Sequence, residues 1–155
     1  MTQSVWITGV GAATPLGHEF ASFAENLLAG TSGVVAHRLL QEDAHGRQNV
    51  ALVDHIPVPP GWDPDAFARH NRMEQLSLSC AARALDDAGL AAECGQRRIG
   101  IVLGLGAEHL RVWELDMLAG GQRILEPQQD ASSAVEFVQH ALGLDGPAVA
   151  VAAAC

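Results

Sequence analysis

The sequence has little that could cross-link a chain, hold a metal or cross a membrane. Its three cysteines, Cys80, Cys94 and Cys155, are odd in number and lack CxxC spacing, which argues against a disulfide framework or a zinc cluster and fits a reducing compartment. The seven histidines are scattered, with no HxxxH or HExxH arrangement, so no metal site is expected. No apolar run approaches the roughly 18 residues that a bilayer requires, and Met1-Thr2-Gln3-Ser4 lacks the basic region of a signal peptide. A cytoplasmic chain with no membrane association is expected. Basic residues are scarce, 9 against 18 acidic ones, for a formal net charge of −9. That balance argues against general nucleic-acid binding, because phosphates would be repelled unless a local basic patch dominated. A dinucleotide fingerprint is missing too: Gly9-Val10-Gly11 follows an apolar run, but position 14 holds Thr14 where GxGxxG needs glycine. No cofactor is expected.

What is present suits one folded domain over residues 1–155, with 48% hydrophobic and 17% charged residues. Ser4 to Thr8 reads as a short buried strand running into the glycine turn. From His18 to Ala29, Phe20, Phe23, Ala24, Leu27 and Leu28 recur at helical spacing, with Gly30 placed to end the helix. Residues 31–70 are the least regular; Pro57, Pro59, Pro60 and Pro64 would interrupt a long helix, and one short strand fits Val50 to Ile56. Asn71 and Glu74 have capping-box spacing ahead of Met73, Leu76, Cys80, Ala84, Leu85 and Ala88, a helical stripe stopped by Gly89.

Farther along, Arg98 to Leu103 predicts a buried strand entering the loop Gly104-Leu105-Gly106. A helix follows over His109 to Leu118. Another is headed by Ser133 and Glu136, again at capping-box spacing, with Ala134, Val135, Val138, Ala141 and Leu142 on its apolar face. Gly146-Pro147 breaks the chain before a small-residue strand, Ala148 to Ala152. The alternation of strands and helices predicts an α/β layered fold with a mostly parallel sheet.

Several blocks together resemble one family. Val5 to Gly17 (Val-Trp-Ile-Thr-Gly-Val-Gly-Ala-Ala-Thr-Pro-Leu-Gly) is similar to the opening strand and turn of β-ketoacyl-acyl-carrier-protein synthases. Asn26 to Gly30 with Ser32-Gly33, Ala84 to Leu90, Arg98 to Gly104, and Leu142 to Pro147 continue the match in order. Seven residues then separate Pro147 from Cys155, the family's spacing before its nucleophilic cysteine. The resemblance implies a thiolase-like layered fold, of which this would be the amino-terminal half of an αβαβα arrangement.

It also implies a chemistry. An acyl group passes from a carrier thioester to Cys155, a malonyl thioester loses carbon dioxide, and the carbanion attacks the acyl-enzyme in a Claisen condensation. A cysteine at a strand-to-helix turn suits this, because a helix N-terminus lowers a thiol pKa from about 8.5 and turn N–H groups can form an oxyanion hole. Cys80, on a helical stripe, and Cys94, beside a turn, read instead as small packing residues. Family members carry two catalytic histidines and a supporting lysine in a carboxy-terminal half that these 155 residues do not include, so by themselves they are expected to condense nothing.

By the same resemblance Ala107 and Glu108 stand where members line the acyl pocket, often with Ile and Gly. Glu108 departs from that pattern, and its carboxylate either faces solvent or narrows the pocket. Arg69, Arg72 and Arg123 stand where members present basic residues to the acidic acyl carrier protein; the alternative is that they solvate a surface. Ala153 replaces a frequent Thr or Ser, and the stretch from Pro127 to Gly146, shorter than in the common elongation synthases, leaves chain-length preference open. Members pair the strand before the cysteine across a two-fold axis, so Ala148 to Ala152 is the expected contact of a homodimer or ketosynthase-like heterodimer. The rival function is a non-catalytic chain-length-factor-like partner subunit, a class that typically lacks the cysteine.

Overall fold

Glycines at positions 9 and 11 allow the first described segment to lie directly on a helix. The computed structural model describes residues 4–37, 48–106, 114–121 and 131–152. They divide into two compact units. The first takes in the described residues up to Arg69 together with Ser79–Gly89; the second takes in His70–Leu78 and the described residues from Leu90 onward.

In the first unit, a Cβ at Gly9 would overlap the Ala84 carbonyl and lie 2.8 Å from Ala88 Cβ, and one at Gly11 would overlap the Cys80 carbonyl. Cys80 and Ala84 are four residues apart on one face of helix α3 (Arg72–Asp87), and Ala88 follows in line just past its end. Their small side chains and the missing Cβ atoms permit this approach. Asp87 fixes it further, its carboxylate accepting the Val10 N–H at 2.9 Å. Thr14 to Gly17 then form a closed turn with mutual backbone bonds of 3.0 and 3.2 Å, and the Thr14 hydroxyl donates to the Gly17 carbonyl. Pro15 supplies the fixed φ such a turn favours at its second position. Asn26 of helix α1 (Phe20–Leu28) donates to the Leu16 carbonyl at 2.7 Å and holds the turn to the helix.

The expected first strand is a correction. Residues 4–13 carry no strand assignment, and Val5, Trp6 and Ile7 are 94%, 81% and 87% exposed. Apolar, β-branched sequence favours extension, yet a strand exists only where another backbone pairs with it. Among the described residues none does. The irregular stretch holds more order than its composition suggests: β1 (Val34–His37) and β2 (Gln48–Ala51) pair antiparallel, Val34 opposite Ala51. The second strand therefore ends at Ala51 rather than running to Ile56. No long helix crosses the prolines, and Pro64 opens the short helix α2 (Pro64–Ala68), where proline's missing N–H costs nothing and Asp63 caps the Ala66 N–H at 2.8 Å. Ile56, Phe67, Pro59 and Ser79 are buried in this unit, with the Ser79 hydroxyl donating to the Pro57 carbonyl at 2.7 Å.

The second unit begins with the capping box foreseen at α3. Asn71 N–H donates to the Glu74 carboxylate at 3.1 Å and Glu74 N–H to the Asn71 side chain at 3.0 Å. A short 3₁₀ turn, Ala91–Glu93, precedes β3 (Ile101–Leu105). This strand pairs parallel with β4 (Ala148–Ala152), Ile101 opposite Ala148 and Leu105 opposite Ala152. β3 starts later than expected and absorbs Gly104 and Leu105, which the sequence reading gave to a loop. It is also not buried on both sides, since Val102 is 72% exposed. Residues 114–118 are helical. Helix α4 (Ala131–Ala141) packs on the two strands and buries Ala134, Val135 and Val138. It starts at Ala131, so Ser133 falls inside its first turn and is not the cap that the Ser133–Glu136 spacing suggested.

Candidate functional site

Ala153 lies outside the described residues, and so do four candidate site residues, Ala107, Glu108, Arg123 and Cys155. The strands leading to three of them are described. The carboxyl ends of β3 and β4 are flush, because Leu105 and Ala152 are register partners. In parallel α/β sheets, ligands bind outside the carboxyl ends of the strands. Along the sequence, Glu108 follows Leu105 by three positions and Cys155 follows Ala152 by three.

Hydrogen bonds around the Gly146-Pro147 turn hold β4 in this register. Gly146 N–H donates to the Ile99 carbonyl at 3.0 Å, and Ile101 N–H donates to the Pro147 carbonyl at 2.8 Å. The Gln139 side chain, on α4, donates to the Gly146 carbonyl at 2.7 Å. The Gly-Pro turn is thereby anchored both to β3 and to the helix above it. Alanines at 148 and 150 share the face of Leu103 and Leu105, and their size lets α4 approach closely. Gln139 was not picked out from the sequence, where a polar residue on a helix gives no sign that it reaches a turn seven positions away.

Cys80 and Cys94 are free thiols, neither fully exposed nor fully buried. Burial pushes the Cys80 thiol up from its ordinary value, against smaller opposing effects from the Arg83 charge and a backbone hydrogen bond at Ala13. A thiol held protonated is a poor nucleophile, which agrees with a packing role. Cys94 Sγ lies 3.7 Å from the Leu90 carbonyl.

Arg69 and Arg72 are both exposed. Arg69 caps the end of α2 in the first unit, its N–H donating to the Ala66 carbonyl at 3.2 Å, and Arg72 opens α3 in the second. One charged group escaped the sequence reading. Arg83 Nη1 lies 3.7 Å from the Glu19 carboxylate and 3.4 Å from the His18 carbonyl. His18 stacks edge-on against His55, 5.9 Å between ring centres. Among the described residues, His18 Nδ1 and Arg83 Nε are buried without a hydrogen-bond partner. Among the described residues no three His, Cys, Asp or Glu side chains converge as metal ligands would, and no helix is long and apolar enough to cross a membrane.

The profile of the family described as "Beta-ketoacyl synthase, N-terminal domain" matches residues 2–155. The chain belongs to this β-ketoacyl synthase family. A related protein is the tetracenomycin polyketide synthase ketoacyl synthase alpha subunit of Streptomyces glaucescens, 28% identical over 99% of this chain and 39% of its own length. A second is 3-oxoacyl-[acyl-carrier-protein] synthase 2 of Vibrio cholerae, 27% identical with the same coverage. The chain thus spans about two fifths of the length of these curated relatives, 39%. Among solved structures, the ishigamide ketosynthase/chain length factor aligns with a TM-score of 0.69 at 22% identity, covering 94% of this chain and 39% of that one. A β-ketoacyl synthase from Burkholderia phymatum gives 0.68 at 22% identity, covering 92% and 38%. The chain therefore has the thiolase-like α/β fold of these ketosynthases, with β3 and β4 its described parallel pair.

Proposed function

We propose that residues 1–155 are the amino-terminal domain of a condensing enzyme that joins a carrier-bound acyl group to a malonyl thioester. Cys155 is the nucleophile. Its sulfur attacks the acyl thioester and releases the carrier thiol; the malonyl thioester then loses carbon dioxide, and its carbanion takes the acyl group and frees the Cys155 thiolate. The observation that carries this reading is the register of β3 and β4. It sets two strand ends side by side, from which the sequence continues to the nucleophile and to the proposed pocket residues Ala107 and Glu108. Arg69, Arg72 and Arg123 serve as basic contacts for an acidic acyl carrier protein, a local positive charge in a chain whose formal net charge, with these three counted, is −9. The working form is a cytoplasmic homodimer or ketosynthase-like heterodimer, and the catalytic histidines come from the remainder of the synthase.

The test is to treat the complete protein with a thiol-directed condensing-enzyme inhibitor and map the adduct by mass spectrometry. Labelling at Cys155 is expected, together with a more than about thousandfold loss of condensation in Cys155→Ala. Labelling confined to Cys80 or Cys94 would overturn the assignment.

A second reading has one observation behind it, since a matching solved structure is described as a ketosynthase/chain length factor. As a non-catalytic partner subunit, the protein would keep its effect on product length after Cys155→Ala. The cysteine at this position favours the enzyme.

A further inference from the structure

We draw no further inference here: the strongest candidate, the exposed valine face of the β3–β4 pair formed by Val102, Val149 and Val151, carries nothing because nothing in the structure shows what covers it.

Discussion

Helices α1 and α4 are built from similar patterns and end in the same way, yet only one of them is buried. In each, apolar residues recur at helical spacing, and a glycine in the left-handed region follows the last turn, Gly30 at φ +72° and Gly143 at φ +63°. Both ends make the paired bonds of a Schellman motif: Gly30 N–H to Leu27 and Thr31 N–H to Asn26, Gly143 N–H to His140 and Leu144 N–H to Gln139. The helices differ in what faces them. α4 lies on β3 and β4 and buries three side chains, whereas α1 buries none and leaves Leu28 87% exposed. Amphipathic spacing states that a helix can bury a face, and a packed neighbour decides whether it does.

That contrast can be broken most forcefully in the cores. Leu78 and Val138 are both 0% exposed, so Leu78→Ala should destabilise the protein by about 3 kcal/mol and Val138→Ala by about 2 kcal/mol. Leu28→Ala should cost less than about 0.5 kcal/mol. Urea unfolding measures all three, and a comparable loss at Leu28 would show that α1 has a covered face.

The helix ends should behave alike, because the stop signal is local. Gly30→Ala and Gly143→Ala each place a Cβ in the left-handed region and should cost about 1 kcal/mol. A much larger loss at Gly143 alone would mean that the sheet, not the motif, sets where α4 ends. Asn71→Ala removes half of the capping box and should likewise cost about 1 kcal/mol in thermal or urea unfolding.

The smallest effect concerns Cys80. Its folded pKa is raised by burial, so the folded state holds the thiol proton more tightly than the unfolded chain does. The contribution is complete below the unfolded value of about 8.5 and is lost as pH rises through the folded value. Stability should therefore decline slightly more above pH 9 in the wild type than in Cys80→Ala. At pH 8, Cys80 should also alkylate more slowly in the native protein than in urea, and equal rates would remove the burial argument.

Much was legible along the chain. The Asn71–Glu74 box and the stops at Gly30 and Gly89 follow from hydrogen bonds and backbone angles spanning a few residues, which side-chain type encodes directly; strand β4 was legible only as an apolar run bounded by Gly146-Pro147. The family blocks were legible as well, and packing explains why some of their residues are glycine: Gly9 and Gly11 are needed because α3 lies against them. The short helix that Pro64 opens was not legible, because proline's effect depends on whether it falls at the start of a helix or within one, and Asp63 settles that. Ser133 was misread because capping-box spacing does not say that the helix has already begun. The β1–β2 pair was hidden because strands of four residues carry too little periodicity to stand out from a loop.

By itself the sequence determined family membership, the Asn71–Glu74 cap, the glycine stops of the helices, and the spacing that singles out Cys155. The tertiary structure decided which extended segments became strands: Val5 to Ile7 have β-prone side chains but no pairing partner among the described residues, whereas Ile101 to Leu105 find one in β4. It also decided that the carboxyl ends of β3 and β4 meet. Hydrogen bonding between segments more than forty residues apart depends on the register of two backbones, and no local preference of side chains specifies that register.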